Sequence, residues 1–404
     1  MVVLESLIHT FAWALNAWPG YGFSGMTKQL AGSAFLIYGT IGTFAMLGLA
    51  IHSISAFRHA FWEIFLATHQ FLAFVVMVCV YEHLKIGCPP ALVSFFGGVI
   101  AIWGIERGFR LFRLFYRNVG WGSWSTKVHV QALPGQDSAC RVTFEVHRPW
   151  LNKPGYHAFI YLPGVSLWMS HPFSIAWYGS KSKKYVKDEL PRYSSETQLS
   201  LPSRKSNEYS MVIATRSGMT KKLFEKANKA PGGMITLRGY IEGPYGGPLS
   251  LNSYGTCLLF AGGVGITHQL SYIRDLLAGY ELGKVATRKI VLIWSVRFNE
   301  QLEWVSPFMN EILQMPSRKE VLKITMFVTK PRNHQEIKSK SEKVLMFPGR
   351  PNVKQIVQYE MENRVGAMAA TVCGPGAMAD DVREAVREQI HEGTIDFVEE
   401  AFTW

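Results

Sequence analysis

The sequence predicts a membrane α-helical bundle, then an antiparallel β-barrel, then an α/β domain built on a parallel sheet. Three patterns predict it. Long apolar stretches fill the chain before residue 106. From about Trp121 apolar residues recur with period two, as in half-buried strands. From Gly255 short apolar runs alternate with helical stretches, the signature of a parallel sheet. The predicted divisions are 1–118, 119–250 and 251–404.

The composition agrees with this division. The chain has 404 residues, enough for two or three domains, and 13% of them are aromatic. Mean hydropathy is slightly positive. The net charge of +12 forms no single basic block, which argues against a nucleic-acid partner. Its two concentrations lie just after the last apolar segment and in a Ser/Lys-rich insert near 181–205. Five cysteines lie far apart without metal or disulfide spacing, as suits a reducing setting. No secretory signal is visible.

Four helices are expected in the first part. The first, 2–18, is a little short of a full span and ends in Trp18-Pro19-Gly20, an interfacial aromatic followed by helix breakers. The second covers about 33–54 and is rich in small residues that permit close helix contact. The third is 61–83, and the fourth follows Pro89 and Pro90. Arg107, Arg110, Arg113 and Arg117 follow the fourth span directly and should be cytoplasmic. The remaining two-thirds of the chain then lie in the cytosol.

The third helix carries His69 and His83, 14 positions apart. That offset returns to nearly the same helix face, about 40° off, after a rise of about 21 Å. One imidazole near mid-depth and another near the far end suit two stacked haems, because neutral imidazole is a good axial ligand for haem iron. His9, late in an outward-running helix, should reach the depth of His83. His52 and His59 are expected at the cytoplasmic interface.

The β region runs to about Leu249, interrupted by a polar, aperiodic loop at 179–206. It holds His171, Pro172, Phe173 and Ser174. Further on, Arg216, Ser217, Gly218, Met219 and Thr220 open a short helix whose first N–H groups form an anion site. A turn at 242–247 closes the barrel. Gly262, Gly263, Gly265 and Thr267 lie between a strand and a helix, where glycines let a pyrophosphate approach the backbone. Cys373, Gly374 and Pro375 end a late strand, where open sheets bind ligands. The chain ends on Trp404.

The order of barrel, HPFS, GPYGG, GGVGIT, CGPG and terminal aromatic resembles the ferredoxin–NADP reductase type of flavoprotein. With histidine-bearing helices in front, it resembles the fungal ferric-chelate reductases, relatives of the NADPH oxidases. The resemblance covers nearly the whole chain. It implies FAD cradled by His171, Pro172, Phe173 and Ser174, with its pyrophosphate at Gly218 and Thr220. It implies NADPH at Gly262, Gly263, Gly265 and Thr267, and at the CGP turn of Cys373, Gly374 and Pro375. Trp404 would cover the flavin until nicotinamide displaces it, and Cys373 would help orient nicotinamide. Arg297, or alternatively Arg350, would hold a 2′-phosphate.

The family's haem b irons are held by two histidine pairs. Here His69 and His83 form one pair, and of the other only His9 is present. The expectation is an N-terminally shortened version in which His9 and His83 hold the outer haem and His69 lacks its partner. The resemblance further implies a multi-pass protein of the plasma membrane, lodged in membrane lipid, with its FAD/NADP part in the cytosol. Electrons would pass from NADPH through FAD and haem to an outside ferric chelate or cupric ion, with a metal permease as a further partner. Two alternatives stay open: a superoxide-generating oxidase, and a non-catalytic or diaphorase-like tethered flavoprotein.

Overall fold

The computed structural model describes residues 1–166, 169–179, 207–247, 249–331 and 344–400. The loop expected at 179–206 and the terminal Trp404 therefore lie almost wholly outside the described residues. The chain forms two compact units, which divide between Phe112 and Arg113.

The first unit is helical: α1 (Val2–Gly32), α2 (Ala34–His52), α3 (Ser55–Ala60), α4 (Trp62–Gly87) and most of α5 (Pro90–Asn118). By length and composition α2, α4 and α5 are the helices able to cross a membrane among the described residues. The first predicted helix differs from expectation. It does not stop at Trp18-Pro19-Gly20 but continues to Gly32, bending at Gly22, whose φ is +58°. Pro19 is accommodated because the backbone changes direction within one turn of it.

Small residues set the packing of α2 on α4. A Cβ at Gly39 would lie 2.9 Å from the His83 ring, one at Gly42 3.5 Å from Cys79 Cβ, and one at Gly48 3.4 Å from Leu72. The two helices thus run antiparallel in close contact, as small residues permit where no hydrophobic force separates helix from lipid. Hydroxyls join α1 to α2: Ser6 Oγ and Thr10 Oγ1 each lie 3.0 Å from Thr43 Oγ1. Thr43 donates back to Gly39 O at 3.0 Å, so no hydroxyl hydrogen faces apolar surroundings unpaired.

The second unit begins within α5. Asn118 is fully buried and makes four hydrogen bonds. Its Nδ2 donates to Leu114 O and Ile241 O, both at 2.8 Å. Its Oδ1 accepts from Ile241 N at 2.9 Å and Thr126 Oγ1 at 2.8 Å. The amide thereby substitutes for a strand partner and ties the helix end to the barrel.

The barrel strands are β1 (Thr126–Leu133), β2 (Ala139–Glu145), β3 (His157–Tyr161), β4 (Ser170–Ser174), β5 (Trp177–Gly179), β6 (Glu208–Ala214) and β7 (Met234–Tyr245). Their order is β4-β3-β7-β1-β2-β6-β5, with every pairing antiparallel. The period-two pattern appears as Val128, Val130, Val142 and Phe144, all turned into one core. Helix α6 (Gly218–Asn228) covers that core with Met219, Leu223 and Ala227.

The last part holds β8 (Thr256–Gly262), α7 (Ile266–Glu281), β9 (Lys289–Val296), α8 (Ser306–Gln314), α9 (Arg318–Val321) and β10 (Leu322–Val328). β11 (Val344–Pro348), α10 (Val353–Glu362), β12 (Met368–Cys373), α11 (Gly376–Gln389) and β13 (Ile395–Glu399) follow. The sheet order is β11-β10-β9-β8-β12-β13, all parallel. The order reverses beside β8, and the carboxyl ends of β8 and β12 lie side by side there. Open α/β sheets bind their ligands at such a point. The edge strand β11 is only five residues long and ends on Pro348, as edge positions allow.

Candidate functional site

The carboxyl ends of β8 and β12 meet through their glycines. A Cβ on Gly265 would fall 2.0 Å from Cys373 O, and one on Gly262 2.4 Å from Pro375 Cδ. Both positions are glycine because the CGP turn occupies the space a side chain would need. Gly263 is different. Its φ is +54° and a Cβ there would meet nothing within 4 Å. The backbone therefore presents one open face at this turn, of the kind a phosphate group can approach. Thr267 is buried and donates to Val264 O at 2.9 Å, which closes the first turn of α7.

On the barrel side, β4 alternates. Pro172 and Ser174 are buried, whereas His171 and Phe173 are half-buried on the opposite face. In the β3–β4 ladder His171 and Phe173 pair with Ile160 and Ala158, and Phe173 packs in part against the barrel core, so only the remaining part of its ring is accessible. Across the ladder, Ser174 pairs with His157, which also pairs with Tyr245 of β7. His157 and Tyr245 stack at 6.1 Å with 27° between their planes.

The barrel end and the sheet end come together at these residues. His157 Nδ1 lies 3.7 Å from Glu400 Oε1, and the Glu400 backbone N donates to Val372 O at 3.0 Å. The Cys373 thiol is buried, and burial, then Glu400, push it up to about 12, so it stays protonated at neutral pH. It can donate a weak hydrogen bond but is no nucleophile. Burial also raises the Glu400 carboxyl and lowers His157. His268, in the first turn of α7, is pushed down to about 4 by burial and by neighbouring His157. Its ring lies 5.3 Å from that of Tyr272. His157, His268 and Glu400 were not singled out from the sequence. Only the histidine after the glycine turn carried a signal, as a polar residue at the buried start of a helix.

Four other predicted residues, Gly218, Thr220, Arg297 and Arg350, stand apart from this cluster. Gly218, with φ +60°, starts α6. Thr220 Oγ1 accepts from Arg216 N at 2.9 Å and donates to Ser217 O at 3.1 Å. Its hydrogen is already used, so an anion there would be met by backbone N–H groups. Arg297 follows β9, one strand from the glycine turn, and its guanidinium lies 3.5 Å from Asp137. At 57% exposed it remains accessible, but Asp137 competes for it. Arg350 is exposed at the end of β11.

In the helical unit His83 and His69 both lie on the side of α4 that meets other helices. His83 Nδ1 is 2.8 Å from Phe35 O, its ring stacks on Phe35 at 3.9 Å, and the His9 ring centre lies 6.4 Å away. A backbone acceptor at Nδ1 sets the tautomer that leaves Nε2 for a metal. The His9 and His83 rings stand nearly perpendicular, at 85°. These two imidazoles are the residues that would hold a haem iron, which would carry one electron at a time. His69 packs against Phe65 at 5.3 Å. His52, the last residue of α2, stacks on Phe65 at 4.9 Å.

Fold and site define a class: a flavin- and nicotinamide-binding unit of the ferredoxin-reductase type joined to membrane-spanning helices. Comparison with known proteins agrees on each part. A model described as "Ferric reductase like transmembrane component" matches residues 1–80, an FAD-binding domain matches 125–187, and "Ferric reductase NAD binding domain" matches 254–387. The chain thus carries ferric-reductase transmembrane and NAD-binding domains with an FAD-binding domain between them.

It is similar to "Ferric reductase transmembrane component 6" of Saccharomyces cerevisiae, at 23% identity over all of this chain and 54% of that protein. "Ferric reductase transmembrane component 3" of the same yeast is 27% identical over all of this chain and 55% of that protein. A "Probable ferric reductase transmembrane component" of Candida albicans is 25% identical over 94% of this chain and 55% of that protein. The chain thus spans about half the length of the curated relatives it matches. Among solved structures, a ferredoxin NADP+ reductase from Neisseria gonorrhoeae with bound FAD and NADP aligns over 68% of this chain and 98% of that chain. The identity is 13% and the TM-score 0.41.

Proposed function

We propose that this chain carries electrons from NADPH, through FAD and haem b, across a membrane to a ferric chelate on the far side. The observation that carries the reading is one chain holding both ends of such a route. The ferredoxin-reductase cluster at Ser174, His157, Gly263 and Cys373 lies in one unit, and the imidazoles of His9 and His83 lie in the other. The basic run after the fourth predicted span supports a cytosolic flavin unit, and the match to a transmembrane component supports a membrane location, read here as the plasma membrane. The working division is 1–118 for haem, 119–250 for FAD and 251–404 for NADP.

When bound, nicotinamide supplies a hydride, flavin divides the pair, and haem iron takes one electron at a time. The chain's residues do the positioning. Phe173 and His171 offer the face for the flavin ring, and the start of α6 at Gly218 and Thr220 holds its pyrophosphate. Gly263 admits the nicotinamide cofactor's phosphates to the start of α7, with Gly262, Gly265, Thr267, Gly374 and Pro375 setting the shape of that turn. The Cys373 thiol, protonated, orients the nicotinamide, and Trp404 covers the flavin in its absence. Arg297 contacts a 2′-phosphate when Asp137 releases it. His83, held by Phe35 O, and His9 ligate one iron, and His69 a second. Cupric ion is a further acceptor of the same chemistry, and a metal permease the partner that would take up the reduced ion.

The test is reduction of an extracellular ferric chelate by intact cells expressing the chain, with and without superoxide dismutase. Reduction that persists with the dismutase supports the proposal. Full suppression by the dismutase would assign the activity to dioxygen. Purified protein with flavin but no haem absorption would reduce it to a tethered diaphorase.

A further inference from the structure

Trp294 of β9 lies behind the glycine turn that ends β8. It pairs with Ala261 in the parallel ladder, and its side chain belongs to the core that Ile266 and Leu270 of α7 also enter. The residue is 2% exposed, so its indole N–H must find a partner within the protein. That N–H donates to Gly263 O at 3.0 Å. The same oxygen accepts from Ile266 N within the turn. Any large apolar side chain could fill this space. Tryptophan fills it and adds a donor, which phenylalanine lacks.

The bond acts on the peptide between Gly263 and Val264. Gly263 has φ +54° and open space where a Cβ would stand. A glycine on one side leaves such a peptide little steric resistance to turning over. In a planar trans peptide the C=O and the following N–H point in opposite directions. With Gly263 O drawn to the indole, the Val264 N–H points away from it. Turned over, the peptide would set its N–H against the indole N–H, donor against donor. Both would then be stranded beside the core, which destabilises that arrangement.

We propose that Trp294 is a positioning residue for the pyrophosphate of the nicotinamide cofactor. Through Gly263 O it keeps the Val264 N–H turned outward, as a donor to an anion at the start of α7. The inference rests on the nicotinamide reading above and adds to it a residue from the neighbouring strand.

The experiment uses the full chain purified in detergent with its flavin bound. NADP+ binding is measured by calorimetry, and KM and kcat by NADPH-dependent ferricyanide reduction. Two changes remove the donor. Trp294→Phe keeps a ring, and 3-benzothienylalanine at position 294 keeps the whole bicyclic shape with sulfur in place of the N–H. Each should weaken NADP+ binding about five- to tenfold, the worth of one buried hydrogen bond. KM should rise with kcat unchanged, because the pyrophosphate is held equally before and during hydride transfer. Flavin content should stay that of the unsubstituted chain.

Unchanged NADP+ affinity with 3-benzothienylalanine would overturn the assignment and leave Trp294 a packing residue. A fall in kcat at constant KM, or loss of flavin with the isosteric side chain, would overturn it too. If Trp294→Phe does not fold, the isosteric chain decides. Failure of the unsubstituted chain to bind NADP+ would bring down the nicotinamide reading itself, a result separable from the others.

Discussion

Replacing Gly265 by alanine tests how the nicotinamide site is built. The new Cβ would lie 2.0 Å from Cys373 O, 2.6 Å from Cys373 C and 3.2 Å from Gly374 N. Every one of those atoms is backbone, so no rotamer change relieves the clash. The start of α7 and the end of β12 must separate by more than an ångström. Overpacking a well-filled site costs about 1–3 kcal/mol, and backbone against backbone belongs at the upper end. If about 3 kcal/mol is lost on forming the site, NADPH affinity falls roughly 100-fold.

Gly263→Ala is the control. It meets nothing within 4 Å and suffers only from φ of +54°, worth about 1–2 kcal/mol. Both variants should keep FAD, because the elements expected to hold it, β4 and α6, lie in the barrel. The assay is flavin content, then NADPH-dependent ferricyanide reduction by purified protein as a function of NADPH. Wild-type NADPH dependence in Gly265→Ala, or a larger loss in Gly263→Ala, would refute the argument that the two glycines serve different purposes.

Further outcomes follow from other contacts. Asn118→Ala leaves the buried N–H and C=O of Ile241 without their partner, at about 1–3 kcal/mol per group. The Tm read by flavin release should drop by roughly 5–10 °C; no drop would mean the clamp is idle. Asp137→Asn should increase the preference for NADPH over NADH, and Arg297→Ala should decrease it. Each change should be no more than about fivefold, since an exposed ion pair is worth at most about 1 kcal/mol. Opposite signs in the NADPH/NADH rate ratio check this, and equal signs would contradict it.

His268 gives a pH dependence. Its folded pKa is near 4, below the unfolded value of about 6.5. The unfolded chain therefore binds the extra proton first, and stability present above about pH 6.5 is lost as pH falls toward 4. His157, also lowered by burial, adds in the same direction, whereas Glu400, raised by burial, opposes it. Denaturant midpoints between pH 7 and 4 should fall less steeply in His268→Leu than in the parent chain; parallel curves would discount His268.

Much of this architecture was legible from residue order. Periodicity marks the apolar spans, the alternating strands and the parallel sheet, because burial of one face or both imposes a repeat on the chain itself. The glycines at 262, 263 and 265 could be read as a tight strand-to-helix turn, and the offset of 14 placed His69 and His83 on one helix face. What could not be read were the relations between distant segments. Nothing local says that Gly265 is glycine because Cys373 O needs its space, while Gly263 is glycine for its φ. Nothing local joins His157 to Glu400, or Asn118 to Ile241. The continuation of α1 past Pro19 also escaped, because a proline near a bend is tolerated once the backbone turns at Gly22. Local sequence determined which segments become helix or strand and which faces they bury. Only the tertiary structure decided which side chains share a space, because that depends on how far apart the packed backbones stand.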